Sequence, residues 1–299
     1  MSKLGACIWL DNQAAEEAAE FYTGIFPNSR ITAKTYYTEV GREFHGQEPG
    51  SVMTVEYQID GFSFTALNGG ASFTPNPSIS FFVRCQDARE VDRIWQALTP
   101  GGRILMPLDS YPFNERYGWI QDRFGVSYQV SVTPAPEGQR VSPCLLFVGE
   151  QCGKAEQAMN HYASVFPGAS VGEIARYPEG MEPDIPGTVM YGEIHILDRQ
   201  IIAMDSAQDH GFSFSEGISL VADTPSQEEL DRYWNALSAD PGAEQCGWLK
   251  DCYGVSWQIL PNEAMNRLLT SENEAAKHRM LQAMFTMKKI DIAALELLG

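Results

Sequence analysis

The chain has 299 residues, too many to favour one compact domain and enough for two. Its 44% hydrophobic and 20% charged content is that of a soluble globular protein with sizeable cores. A formal net charge of −18 excludes nucleic acid and anionic membrane as expected partners, since both demand a basic surface.

The elements can be taken in chain order. The start, MSKLGACIWLDNQ, lacks the charged-then-apolar layout of a signal peptide, and ACIWLD within it is a short apolar strand. A helix follows in NQAAEEAAEFYTGIF, where Ala14, Ala18, Phe21, Tyr22 and Ile25 form one apolar stripe until Pro27 stops it. RITAKTYY, SVMTVEYQID and FSFTALN predict three strands, the last two joined at Asp60-Gly61, a strong hairpin signal. SISFFVRC predicts another strand, and DAREVDRIWQAL a helix with Asp87 as N-cap and Glu90 completing a capping box. Gly101-Gly102 end that region, and RILMPL, YGWIQD and VSYQVSV supply strands. The order is β-α-β-β-β, twice.

The whole pattern then recurs roughly 140 residues later, as an internal duplication would. AEEAAEFYTGIFPNSRI from Ala15 returns as AEQAMNHYASVFPGASV from Ala155, and GSVMTVE from Gly50 as GTVMYGE from Gly187. DRIWQAL from Asp92 returns as DRYWNAL from Asp231, and GWIQDRFGVSYQ from Gly118 as GWLKDCYGVSWQ from Gly247. The first copy carries extra residues around MPLDSYPFNERY. This predicts two homologous domains, 1–134 and 143–262, a Pro- and Gly-rich linker over 135–142, and a tail over 263–299.

The tail predicts helix, with Ser271 and Glu274 as a capping box and an apolar face through Met280, Leu281, Met284, Phe285 and Met287. Ile290, Ile292, Ala294, Leu295 and Leu298 continue it. Such a face should dock on its own domain or on a second subunit. No apolar run approaches the roughly 18 residues that span a bilayer. Six cysteines without CxxC spacing point to free thiols and a cytoplasmic location.

Two βαβββ modules per half, FY…FP after the first helix and D-x-x-G-x-x-x-Q before the last strand resemble the vicinal oxygen chelate superfamily of glyoxalase I, bleomycin-resistance proteins and extradiol dioxygenases. GSVMTVEYQIDGFSFTALNGG, GWxxDxxGVSxQ and the ending MKKIDIAALE are similar to its PhnB-like branch, whose members often carry the label 3-demethylubiquinone-9 3-methyltransferase. The resemblance implies an α+β fold of tandem glyoxalase-like domains, each of two modules forming a cupped eight-stranded mixed sheet, with a C-terminal helical extension. It also implies that the two halves form an internal pseudo-dimer, with a further homodimer open.

Metal-dependent members of the superfamily place four ligands, usually His, Glu or Gln, in the cup. Matching those positions gives Cys7 and Cys144 on first strands, Ser80 and Ser219 on the second modules' first strands, and Gln129 and Gln258 where a glutamate normally sits. The fourth position is Phe64 or Thr65 in one half and Ile201 or Ile202 in the other. Such a set is a poor nest for a divalent ion, so no metal or cofactor is expected. Trp9 shares a face with Cys7 and should line the first cup, whereas Trp119 and Trp248 are expected in the core or a subunit interface.

No histidine recurs between the halves; His195 and Glu193 share a strand face and could pair, although an ordinary strand histidine is the simpler reading. Cys246 and Cys252 are expected as buried thiols, and each D-x-x-G as a turn capped by its Asp. The expected function is binding of a small molecule in one or both cups. The alternatives are a lyase- or isomerase-type enzyme drawing on Cys7, Cys144, Glu56 or Glu193, and a structural module with vestigial cups. A methyltransferase reading finds no glycine-rich loop opening a helix after a strand.

Overall fold

A computed structural model describes residues 3–133, 139–269 and 273–298, and side chains for all of these but 267–269. The first half contains β1 (Lys3–Leu10), α1 (Ala15–Ile25), β2 (Ser29–Tyr36), the single turn α2 (Arg42–His45), β3 (Val52–Ile59) and β4 (Phe62–Asn68). It continues with β5 (Ile79–Cys85), α3 (Ala88–Leu98), β6 (Arg103–Tyr111), β7 (Asn114–Gln121) and β8 (Ser127–Val132). The second half contains β9 (Val141–Phe147), α4 (Ala155–Val165), β10 (Ser170–Arg176), β11 (Val189–Ile196) and β12 (Arg199–Asp205). Then come β13 (Ile218–Asp223), α5 (Gln227–Leu237), β14 (Trp248–Lys250) and β15 (Ser256–Leu260), followed by the tail helices α6 (Asn262–Leu269), α7 (Glu274–Thr286) and α8 (Ile292–Glu296).

The four modules are therefore present, the fourth with two strands after its helix where the others have three. Two mixed sheets result, of seven strands (β14-β15-β13-β1-β4-β3-β2) and eight (β10-β11-β12-β9-β5-β8-β7-β6). Modules do pair into sheets as expected, but the partners are exchanged between the halves: module one pairs with module four, and module two with module three. The connection explains this. Only a short segment separates β8 from β9, so β9 docks antiparallel on β5, the strand already beside β8. β1 is then left to pair antiparallel with β13, the remaining first strand. β9 begins at Val141, inside the stretch expected as linker.

Each half is nevertheless tied through its own interior. Tyr22 on α1 donates to Asp122 Oδ2 in the turn before β8 at 2.7 Å, and Tyr162 on α4 donates to Asp251 Oδ2 before β15 at 2.6 Å. The other oxygen of each carboxylate accepts two backbone amides, from Phe124 and Val126 in one copy and Tyr253 and Val255 in the other. These are the capped turns the sequence predicts. Trp257 Nε1 adds a fourth donor to Asp251.

Local signals behave as their chemistry requires. Asp60 and Gly61 both take positive φ, 48° and 82°, as the tight β3–β4 hairpin needs. Asp87 caps α3 by accepting from Glu90 N, and the Glu90 carboxylate reaches back to the Gln86 amide. The first turns of α1 and α4 are capped from a distance: Asn68 accepts from Ala15 N, and its counterpart Asp205 accepts from Gly153 N and Ala155 N.

The tail docks on its own chain. Met280, Ile290 and Leu295 are fully buried, and the amides of Cys246 and Gly247 donate to the carbonyls of Met287 and Lys288. The tail thus supplies acceptors at the edge beside β14, where the fourth module is a strand short. Asn273 caps α7, accepting from Ala276 N; Ser271 lies outside the described residues.

Candidate functional site

Period-two alternation on β1 sends Ala6, Ile8 and Leu10 into the core beneath the helices and leaves Gly5, Cys7 and Trp9 on the other face. Register carries that face across the seven-stranded sheet: Cys7 lies opposite Ser219 on β13 and Thr65 on β4, and Thr65 opposite Glu56 on β3. Above this row opens a cavity of about 1020 Å³, lined by Cys7, Trp9, Glu56, Thr65, Trp248 and Gln258 among others.

The Cys7–Ser219–Gln258 part of its floor is polar but neutral. Gln258 Nε2 donates to Ser219 Oγ at 2.9 Å. Burial pushes the Cys7 thiol up to about 12, outweighing its hydrogen bonds with Gln258 and Ser219, so it stays protonated at neutral pH. Its walls are aromatic. Trp9 meets Phe73 edge-on at 5.0 Å and Trp248 at 5.9 Å, and its indole N–H donates to Gly70 O at 2.7 Å. A Cβ on Gly69 would fall 2.1 Å from the Trp9 ring, so only glycine permits this placement. The tail contributes Leu281, Met284 and Phe285, the last packed against Phe44 at 6.0 Å and His45 at 5.7 Å.

The same polar set occurs in the eight-stranded sheet, in different company. Ser80 lies opposite Cys144, Gln129 Nε2 donates to Ser80 Oγ at 2.9 Å, and the Cys144 thiol is again pushed up to about 12 by burial. Here Tyr117 donates its hydroxyl to Gln129 Oε1, and Phe82 packs against Tyr117 and Tyr191. The repeat aligns those three aromatics with Cys246, Val221 and Thr54 of the open cup. Arg84, buried and hydrogen-bonded to Ser142 and Gln200, stands where the open cup has Asp223. Glu193, the counterpart of Glu56, accepts from Tyr191 OH at 2.8 Å.

The sequence-derived positions are thus regrouped. Cys7 meets Ser219 and Gln258 across the halves, and Cys144 meets Ser80 and Gln129; Cys7 does not share a cup with Ser80 or Gln129. Trp9 lines the cavity. Thr65, not Phe64, faces it, since Phe64 is stacked on Tyr57 in the core at 5.1 Å, and Ile202 is the residue opposite Cys144. Trp248 is a wall of the cavity rather than core. Cys252 is exposed, and half-buried Cys246 donates its thiol to Met284 O at 3.3 Å. His195 is exposed and Glu193 is taken by Tyr191, so the two do not form a site. The tail residues could not have been placed at the cup from periodicity, which finds an apolar face but not what it covers.

The family model described as 3-demethylubiquinone-9 3-methyltransferase matches residues 2–131 and again 139–260. The chain belongs to this family. A PhnB protein from Bacillus cereus is 33% identical over 42% of this chain and 98% of its own, with a TM-score of 0.38. A protein from Staphylococcus aureus is 30% identical over 44% and 97%, with a TM-score of 0.18. Glyoxalase I from Zea mays covers 91% of this chain and 98% of its own at 11% identity and a TM-score of 0.55, a likeness of fold. No curated protein matches. Among the described residues of this family member, no helix is long and apolar enough to cross a membrane.

The metal that the fold suggests does not suit these donors. A protonated thiol, a hydroxyl and an amide supply neither imidazole nor thiolate, and Glu56 at the end of the row adds a single carboxylate. No group of three or more His, Cys, Asp or Glu among the described residues is arranged to hold an ion.

Proposed function

We propose that the protein binds a small molecule in the open cup, without a metal, and that the filled cup is structural. The observation that carries this is the pair of matching Cys-Ser-Gln sets under different ceilings. Where Phe82, Tyr117 and Tyr191 occupy one cup, Val221, Cys246 and Thr54 leave about 1020 Å³ in the other. That volume, with aromatic walls and a few placed polar groups, has the character of a ligand pocket. Because modules one and four complete the cup within one chain, no second copy is needed to close its sheet. The six unpaired cysteines support a reducing compartment such as the cytoplasm. Transfer of a methyl group gains no support: Gly69-Gly70 follow β4 and Gly101-Gly102 precede β6, and neither pair opens a helix.

The test is a ligand-observed NMR screen of a diverse fragment set against the wild type and Val221→Phe, which copies Phe82 into the open cup. Hits lost in the variant support the reading. Hits that persist in the variant, or near-stoichiometric metal that disappears on Cys7→Ser, defeat it.

A further inference from the structure

The binding reading leaves open what chemistry the cup prefers, and one side chain bears on that. Four carboxylates line the cavity. Glu216 pairs with Lys250 at 2.7 Å, Glu244 with Lys288 at 3.1 Å, and Asp223 accepts the Asn262 amide at 3.0 Å. Glu56 has no such partner among the described residues, and burial alone raises it from its ordinary value. Its counterpart in the other cup shows how the fold satisfies this position with a side chain of its own: Tyr191 donates to Glu193. In the open cup Thr54 replaces that tyrosine and cannot span the same gap. A half-buried carboxylate with room in front of it and nothing donating to it is completed by something that enters.

The walls around that room point to the same chemistry. Trp9, Trp248, Phe73, Tyr37 and Phe285 line the cavity, and aromatic faces attract cations as well as apolar bodies. From these two features we propose that the open cup takes an organic cation, an amine or quaternary ammonium on an apolar body, whose charge sits against Glu56 within the aromatic walls. This rests on the binding reading above and narrows it. A cation desolvated on entry regains a counter-charge at Glu56 while its apolar body meets the aromatic walls, whereas an anion of the same shape meets the carboxylate with like charge.

The test compares three probes of similar shape by calorimetry and by competition on the tryptophan emission: benzyltrimethylammonium, its neutral carbon isostere neopentylbenzene, and phenylacetate. Benzyltrimethylammonium is expected to bind wild type more tightly than either, and Glu56→Gln, which keeps the shape and removes the charge, to weaken it about tenfold. Neopentylbenzene should be unchanged by the substitution, which also reports that the variant retains its cup. If the neutral probe binds as well as the cation and Glu56→Gln alters neither, the cup is a pocket without charge preference and the cation proposal is overturned, while the binding reading stands. If phenylacetate binds best, the proposal is likewise overturned. If no probe binds, the binding reading falls and takes the proposal with it.

Discussion

The two cups of this molecule share a floor and differ in their ceilings. Each sets a buried thiol beside a serine and a glutamine, and in each the glutamine amide donates to the serine at 2.9 Å. What separates them is side-chain volume at three aligned positions and charge at a fourth: Phe82, Tyr117, Tyr191 and Arg84 against Val221, Cys246, Thr54 and Asp223. The backbone therefore permits a pocket, and a few side chains decide whether one exists. Duplication gave the chain two chances at a site, and the exchange of modules between the halves means that neither half alone contains either cup.

The sharpest way to break the comparison is at the ties that hold it. Asp251→Ala removes the acceptor of Tyr162, Trp257 and two backbone amides, all buried, and is expected to cost about 3–5 kcal/mol in urea unfolding. Asp122→Ala loses three donors' acceptor rather than four and should cost about 1 kcal/mol less. Equal costs would mean that the Trp257 contact contributes nothing.

Next come the ceilings themselves. Phe82→Val should open space beneath Tyr117 and Tyr191 and destabilise the fold by about 1.5–2 kcal/mol, because the ring is half-buried and its neighbours, held by the sheet, relax only in part. The reverse change, Val221→Phe, grows into an existing void and should alter stability by no more than about 1 kcal/mol while abolishing ligand binding. A crystal structure of each variant decides whether the cups have exchanged character.

The tail lines the open cup, and a smaller effect tests its part. Phe285→Ala should cost about 1.5 kcal/mol, in keeping with a half-buried ring, and should make Trp9 and Trp248 more accessible to acrylamide quenching. Unchanged quenching would show that the tail packs beside the cup without covering it.

Much of this was legible in the chain. Internal repetition located four modules, and the Asp60-Gly61 hairpin, the Asp87 cap and the D-x-x-G turns are local chemistry that acts over a few residues. Cys7, Ser219 and Gln258 were nameable by aligning the repeat, but their grouping was not. It depends on which first strand meets which, and that pairing is set by the short β8–β9 connection rather than by any motif. Glu56 was visible only as a candidate, since its facing follows from the β3–β4 register. Trp248 resembled core because a tryptophan before a turn usually is, yet it and its counterpart Trp119 are both only half-buried.

The last comparison is between the two buried carboxylates as acids. Burial raises Asp122 from 3.8 to about 6, against the lowering effect of its hydrogen bonds from Tyr22, Phe124 and Val126. An acid whose folded-state pKa is raised binds protons more readily folded than unfolded between those two values. Its contribution to stability therefore falls as pH rises from 3.8 through about 6, and the penalty is complete above that. Asp122→Asn removes the titration, so the stability of wild type relative to this variant should drop by about 1 kcal/mol between pH 5 and pH 7 in paired urea titrations. Asp251 is also raised by burial, but Trp257 adds a hydrogen bond that favours its charged form. Asp251→Asn should accordingly show the same sign with a shallower slope. A slope that is flat for Asp122, or steeper for Asp251, would mean that the extra indole donor does not distinguish the two turns.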